Sequence, residues 1–396
     1  MSPPSRADEC TNRGSVAHRY DLIVSGGHVI DPSQGIDAMR DVALADGKVA
    51  LVADNIPADQ ARDVIDARGL IVTPGLIDLH THDFWGASRY GVDADTVHIA
   101  RGVTTVVDAG SSGAHTFPAF RKYVIDRAMT RIYVMLNISG MGMALGYAGL
   151  EDIRWAKVEH AVRVGKEHPD VVLGVKARIP PLPAESYREV LRRAIDAAEG
   201  MDGIFMLHLG GTSIPVAERL NMLRPGDVLT HSFRYSPGGN GILDSEGNVL
   251  EEAWAAKERG VVFDVGHGKG SFSFETMERA MAQGFLPDTI SSDLHIGNVD
   301  RTVYDLHTTL SKFLHLGMRL DEVIRLGTEA PAKVIGKSDE LGTLRPGAVG
   351  DVTISKLEEG RFELSDSGGR RVVEATHRLT HVKTIEGGRE YRPYFA

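Results

Sequence analysis

The chain has 396 residues, of which 42% are hydrophobic and 25% charged, so it can bury at least one large core and has no compositional sign of disorder. Its net charge of −10 disfavours nucleic acid as a partner, and no apolar run is long enough to predict a membrane span. The single cysteine, Cys10, excludes an internal disulfide framework and fits a reducing, cytoplasmic setting.

Both ends of the chain contain sequence patterns typical of β-strands. Residues 1–18 are polar and lack the apolar segment of a secretory signal, so we interpret them as a disordered tail. In residues 19–73, short β-type runs alternate with glycine-containing turns, which is typical of a small antiparallel sheet. Strand-like runs return near the C-terminus. We therefore predict a small β-sandwich domain built from residues 19–73 and 341–396.

The central part of the chain has a sequence pattern typical of alternating β-strands and α-helices. From Gly75 onward, apolar runs of strand length alternate with helical stretches such as Ala184–Ala198. Eight candidate strands can be counted, and eight is the strand number of a (β/α)8 TIM barrel. They are Leu76–His80, Thr104–Ala109, Ile132–Ile138, Val171–Ile179, Ile204–Leu209, Val228–Ser232, Val261–Val265 and Thr289–Asp293. The sequence thus predicts an α/β protein whose barrel spans residues 74–340.

Residues that can bind metals stand at the ends of several candidate strands. Period-two alternation places Asp78, His80 and His82 on one face of the first strand, pointing towards the barrel mouth. Taken alone, this His-x-His pair is weak evidence for a metal site, because two solvated or core histidines are the more common explanation. Later strands add polar residues at matching ends, where burial is costly unless the group is bonded or coordinated. These residues are Lys176, His208, His231 and Asp293. Histidine and aspartate are ordinary zinc ligands, whereas a protonated lysine is not, so Lys176 needs a separate explanation.

These motifs resemble the amidohydrolase superfamily, in particular its dihydroorotase-like branch, along nearly the whole chain. The resemblance rests on Pro74–His82, Gly102–Thr105, the four later polar residues and Gly347–Val352. It is closer to a subgroup labelled dihydroorotase or deacetylase, through Gly174–Arg178 and Asp264–Gly268. The Arg-Asn pair of true dihydroorotases is absent after the His-x-His motif, which disfavours orotate-type substrates.

The resemblance implies a binuclear metal centre with two Zn²⁺ ions per chain. Its ligands would be His80, His82 and Asp293 for one ion, and His208 and His231 for the other. Lys176 matches a lysine that reacts with carbon dioxide in such relatives, so that an N6-carboxylated Lys176 and a hydroxide would bridge the ions. Two such ions supply hydroxide near neutral pH and polarise a carbonyl. We expect Asp293 to be the catalytic residue that moves the proton to the leaving group.

Two further residues are candidates for substrate binding. Arg178 lies two residues after Lys176, so in an unbroken strand it shares the inward face and could hold a substrate carboxylate. A structural salt bridge is the alternative for Arg178. His267 ends the seventh candidate strand in a glycine-rich turn, where it could contact a ligand or simply be a hydrogen-bonded turn histidine.

The sequence therefore predicts a zinc-dependent hydrolase that cleaves an amide or ester bond of a small acylated carboxylic acid, such as an N-acyl amino acid or an acyl hydroxy acid. Ring opening of a cyclic amide, of the hydantoinase or dihydroorotase kind, is the alternative. Lys176 argues against a deaminase, and the full ligand set argues against a scaffold protein without activity. The expected partner is a small-molecule substrate, without nucleic acid or membrane, and a homo-oligomer is left open.

Overall fold

The structure is a computed structural model that describes residues 18–145, 149–237 and 239–392. Residues 1–17 of the expected disordered tail lie outside the described residues. The strands, in chain order, are β1 (Tyr20–Asp31), β2 (Ile36–Ala45), β3 (Lys48–Ala53), β4 (Ala61–Asp66), β5 (Ile71–Pro74), β6 (Leu76–Thr81), β7 (Val103–Gly113), β8 (Arg131–Asn137), β9 (Val172–Ala177), β10 (Ile204–His208), β11 (Val228–Thr230), β12 (Val262–Phe263), β13 (Val352–Ser365), β14 (Val372–Glu386) and β15 (Arg389–Glu390).

The α-helices, in chain order, are α1 (Ala94–Val97), α2 (Phe117–Tyr123), α3 (Val158–Glu167), α4 (Ala184–Gly200), α5 (Val216–Met222), α6 (Glu251–Glu258), α7 (Phe274–Ala282), α8 (Leu306–His315), α9 (Leu320–Leu326) and α10 (Glu329–Val334). Helix α4 corresponds to the helix predicted from the spacing of apolar residues, and it buries that apolar face. Among the described residues, no helix combines the length and the apolar character that crossing a membrane requires.

The central strands form a (β/α)8 barrel, as the sequence predicts. Strands β6 to β12 are parallel, and each pairs with the next along the chain. The eighth position is held by the segment 289–294. This segment bridges to Asp264, directly after β12, through Thr289, and to Thr81 of β6 through Leu294. The ring of parallel segments is therefore closed.

The eighth segment differs from the regular strand expected at Thr289–Asp293. The backbone N–H of Ser292 donates to the carboxylate of Asp78 at 2.9 Å, and that of Ile290 donates to the carbonyl of Leu326 at 3.1 Å. These bonds replace a backbone ladder towards β6, because each donor is satisfied elsewhere. Strand β9 also ends earlier than expected, at Ala177, so that Arg178 lies just beyond it.

The second sheet is the small β domain expected from both chain ends. Its eight strands are ordered β15-β14-β13-β5-β1-β2-β3, with β4 also paired to β1. Strand β13 pairs antiparallel with β5, which joins the C-terminal strands to the N-terminal ones. Apolar side chains from both ends share one core, including Val24, Val42, Val72, Val352 and Ile385. The residue boundaries expected for the two domains stay a prediction.

Candidate metal centre

The six expected metal ligands lie together at the C-terminal end of the barrel strands. They are His80 in β6, His82 one residue after it, Lys176 in β9, His208 at the end of β10, His231 directly after β11, and Asp293 in the segment 289–294. All six line one pocket of about 300 Å³. The structure therefore brings together side chains that are more than two hundred residues apart in the sequence.

Asp293 is the centre of a first group of donors. Its Oδ1 lies 3.4 Å from Nε2 of His80 and 3.2 Å from Nε2 of His82. Donor atoms bind zinc at about 2 Å, so two donors of one ion lie about 3–4 Å apart, and both distances match. Ligand atoms of His80, His231 and Asp293 also lie within 4.8 Å of one another. This group can hold a divalent ion.

A second group of side chains adjoins the first. The ring centroids of His208 and His231 are 4.3 Å apart, and those of His231 and His80 are 4.9 Å apart. The Nζ atom of Lys176 lies 3.3 Å from Nε2 of His80. Lys176 and His208 therefore adjoin the first group, and His231 contacts both groups.

Hydrogen bonds from behind fix which ring nitrogen faces the pocket. Thr230 Oγ1 donates to Asp264 at 2.7 Å, so at its 2.8 Å contact with His80 it accepts the Nδ1 proton. The Nδ1 of His231 donates to the carbonyl oxygen of Gly266 at 2.6 Å. Both histidines therefore keep an unprotonated Nε2, which is the form that binds a metal.

Two of the six residues have an unusual backbone conformation. His231 has a φ of 67° and Asp293 a φ of 49°, which is the left-handed region that residues with a Cβ avoid. Glycines allow the close packing around them: a Cβ at Gly268 would lie 2.2 Å from Oδ2 of Asp293, and one at Gly266 would lie 2.8 Å from Nδ1 of His231. Strain of this kind is concentrated at functional sites.

Burial sets the protonation states of the cluster. It lowers the pKa of Lys176 to about 7 and that of His231 to about 3, and it holds the pKa of His80 and of His208 well below the ordinary value. Burial alone would raise the pKa of Asp293, but the neighbouring histidines outweigh it and hold this pKa well below the usual range. Neutral imidazoles around an ionised carboxylate are a donor set that fits a zinc-type ion.

The structure brings only one of the two expected substrate-binding residues to the pocket. Arg178 lines it, with its guanidinium 5.8 Å from the ring centroid of Tyr90. His267 is fully buried and lies outside the pocket lining. Its Nε2 accepts from Nζ of Lys312 at 2.8 Å, and its Nδ1 contacts the carbonyl oxygen of Gly268 at 3.0 Å. Both ring nitrogens are engaged, which leaves His267 no atom to offer a substrate.

Sequence reasoning assigned no role to several residues that shape the site. Asp264 accepts from the hydroxyls of three neighbours, and Asp78 anchors the eighth segment. Both had a signal, because each is a carboxylate in an otherwise apolar strand and needs bonded partners. Arg234 and Lys269 line the pocket from the loops after β11 and β12. They had no comparable signal, because a cation in a loop is usually solvated.

A barrel that gathers histidines, a lysine and an aspartate at its mouth is the architecture of a barrel enzyme with a metal centre. The model of the amidohydrolase family matches residues 71–390. The chain belongs to the amidohydrolase family and is a hydrolase of that family. The resemblance inferred from the sequence motifs is thereby confirmed.

Individual relatives differ in activity. A deacetylase of Enterococcus faecalis is 33% identical over 384 residues, which cover 94% of this chain and 99% of the relative. The crystal structure of an adenine deaminase has a TM-score of 0.83 at 31% identity and covers 94% of this chain and 100% of its own. That of a dihydroorotase has a TM-score of 0.82 at 30% identity and covers 94% and 98%. Since these relatives act on different compounds, the substrate has to be argued from the site.

Proposed function

We propose that this hydrolase removes the acyl group from a small acylated carboxylic acid, such as an N-acyl amino acid or an acyl hydroxy acid. The observation that carries the proposal is the position of Arg178 in the same pocket as the six metal-ligand-type residues. A guanidinium there can hold a substrate carboxylate while the scissile carbonyl faces the donors below. The similarity to a deacetylase over nearly the whole chain supports the same chemistry.

The metal assignment is part of the proposal. One Zn²⁺ would be held by His80, His82 and Asp293, and a second by His208 and His231, with carboxylated Lys176 shared between them. When bound, two such ions supply hydroxide near neutral pH and polarise the scissile carbonyl. Carboxylation of Lys176 requires an unprotonated amine, and the pKa of about 7 that burial gives this side chain supports it.

Asp293 is proposed to move the proton of the reaction. Its Oδ1 faces Nε2 of both His80 and His82, which leaves Oδ2 as the oxygen that can take a proton from the attacking water. The same oxygen would return that proton to the leaving nitrogen or oxygen. Gly268 lets Oδ2 sit against the backbone, since a Cβ at this position would collide with it. One carboxylate therefore serves both proton transfers.

Two other activities deserve assay because relatives carry them. Ring opening of a cyclic amide needs the same proton transfers, and the dihydroorotase similarity favours it as the second candidate. Adenine deamination is less compatible with the pocket, because adenine has no anionic group for Arg178 to hold. A carboxylate for Arg178 is therefore present in the acylated acids and in dihydroorotate and is absent from adenine.

The test is a substrate panel on zinc-replete protein. It contains N-acetyl amino acids and O-acetyl hydroxy acids of both hands, dihydroorotate, a hydantoin and adenine. We expect acetate release from at least one acylated acid, with a kcat/KM well above that of every cyclic amide and of adenine. Preferred turnover of a cyclic amide or of adenine would replace the proposal by that activity.

A further inference from the structure

The pocket around the candidate metal centre has an excess of positive charge. Its described lining contains the cations Arg178, Arg234 and Lys269, and Asp293 is the only acidic residue in that lining. Asp293 already lies against His80 and His82, so it does not neutralise the cations at the mouth. A single substrate carboxylate held by Arg178 would leave this excess largely uncompensated.

Arg234 is the most informative of these cations. It follows His231 by three residues, and its Nη1 donates to the carbonyl oxygen of Leu209 at 2.6 Å. Among the described residues its Nε is buried without a hydrogen-bond partner, and the charges that act on its guanidinium are those of other arginines. A partly desolvated guanidinium with an unpaired N–H costs free energy, so an anionic ligand group would be bound favourably by the part of Arg234 that lines the pocket.

The surroundings of Arg234 make an anion still more favourable. Burial, and then the charges of Arg219 and Arg370, lower the pKa of Arg234, and no acidic group opposes them. Arg219 is itself fully buried; its Nη1 donates to the carbonyl oxygen of Gly210 at 2.9 Å, and Tyr187 is the residue that supports its charge. Three arginines therefore create a positive potential on one side of the pocket.

The two pocket arginines approach the centre from different strands. Arg178 follows β9, which carries Lys176, whereas Arg234 follows β11. A Cβ at Gly210 would lie 3.2 Å from the ring of His208 and 3.9 Å from Nη1 of Arg234, so this guanidinium flanks the second group of donors. Strand β10 lies between β9 and β11, so the two arginines enter the pocket from strands that are not neighbours.

We propose that the substrate carries two anionic groups, one held by Arg178 and the other by Arg234, with Lys269 assisting at the mouth. The class of substrate is then an acylated dicarboxylic acid, such as an N-acylated acidic amino acid or the corresponding acylated hydroxy acid. The acyl group in this statement rests on the proposed function. The requirement for two anions rests only on the pocket.

Binding of substrate-like dicarboxylates tests this requirement without turnover. Succinate, glutarate and adipate are each titrated calorimetrically into zinc-replete protein beside their monoamides, which lack one charge but keep the length. We expect at least one dicarboxylate to bind about 10- to 100-fold more tightly than its monoamide, as one charge-assisted hydrogen-bonded contact allows. Equal binding of every pair, or no measurable binding of any dicarboxylate, overturns the proposal.

Three variants locate the second anion. Arg234→Met should reduce the preference for the dicarboxylate to about 1, and Lys269→Gln, at an exposed position, should reduce it partly. Arg370→Met is the matched control, because it removes a charge that acts on Arg234 from outside the pocket lining. We expect this control to keep most of the preference. If Arg234→Met does not fold, the other two variants decide. A dicarboxylate preference that is unchanged in Lys269→Gln but lost in Arg370→Met would assign the preference to the overall positive potential and overturn the proposal.

Hydrolysis separates this proposal from the proposed function. N-acetylglutamate and N-acetylglutamine of both hands differ only in the distal charge, and we expect a kcat/KM about 10- to 100-fold higher for the glutamate. Deacylation without this preference would retain the proposed function and overturn the second anion site. A dicarboxylate preference in binding without any deacylation would do the reverse.

Discussion

Replacing Thr230 by valine tests whether the hydrogen bonds behind the pocket hold the metal ligands. Thr230 Oγ1 accepts from Nδ1 of His80 at 2.8 Å and donates to Asp264 at 2.7 Å, and all three side chains are buried. Thr230→Val keeps the shape of the side chain but leaves the Nδ1–H of His80 without this acceptor. The ring then loses both its preferred tautomer and its fixed orientation.

The expected effect is a weaker metal site. A buried donor left unpaired costs about 1–3 kcal/mol, and removal of a partner behind a metal-bound histidine typically weakens metal affinity about 10- to 100-fold. A 10- to 100-fold loss corresponds to about 1.4–2.8 kcal/mol, so the two magnitudes agree. Zinc affinity is measured by competition with a chelating dye, on wild type and variant at one pH.

Thr289→Val is the matched control. Thr289 Oγ1 donates to the other oxygen of Asp264 at 2.7 Å and is equally buried, but no hydrogen bond within the described part of the chain joins it to one of the six metal-ligand-type residues. It should lower the thermal stability of the metal-free protein and leave zinc affinity within a factor of about 3. Equal losses of affinity in both variants, or none in Thr230→Val, would refute the orienting role of Thr230.

Four further predictions follow from the site. Lys176→Ala should reduce zinc content and abolish activity, with partial recovery on adding a small carboxylic acid and zinc; full activity would exclude a carbamate bridge. Asp293→Asn should lower kcat by several orders of magnitude, and zinc content measured on the same sample separates proton transfer from metal binding; a change of only a few-fold would assign the proton to another group. Arg178→Met should reduce kcat/KM about 10- to 100-fold for a substrate carboxylate and little for its methyl ester; equal losses on both would indicate a structural salt bridge. Finally, burial holds the pKa of His231 at about 3 in the folded chain, against an ordinary value of 6.5. Between these two pH values the unfolded chain binds a proton that the folded chain does not. The metal-free protein should therefore lose stability as the pH falls from about 6.5 towards 3. Thermal melts of wild type and His231→Gln against pH measure this, and an unchanged pH dependence in the variant would contradict it.

The sequence predicted the barrel and the polar residues at its mouth because both depend on local signals. Apolar runs of strand length repeat along the chain. A polar residue at the end of such a run is costly to bury without a partner, so it is expected at the barrel mouth. His80 and Asp293, more than two hundred residues apart, could therefore be assigned to one site before any geometry was known. The family resemblance supplied the role of Lys176, which residue chemistry alone did not.

His267 shows what local signals do not decide. A histidine at the end of a barrel strand can face the pocket or turn back into the protein, and its sequence neighbours are the same in both cases. Here Nζ of Lys312, in helix α8, donates to its Nε2 at 2.8 Å. Lys312 lies 45 residues further along the chain, so this contact depends on how helix α8 packs against the barrel. The residues around His267 in the sequence do not predict it.

The eighth barrel segment is irregular where a regular strand was predicted, and the irregular residue is one of the candidate functional residues. A regular strand requires φ near −120°, whereas Asp293 adopts a φ of 49° and the preceding Ser292 bonds to the carboxylate of Asp78. The departure turns the Asp293 carboxylate towards Nε2 of His80 and His82, where the proposed metal site requires a ligand. Such a conformation costs about 1–3 kcal/mol and persists only where surrounding contacts fix it. The strand is therefore irregular at Asp293, the residue that the proposed chemistry uses for both metal binding and proton transfer. Functional residues are where a chain is expected to depart from its local backbone preference.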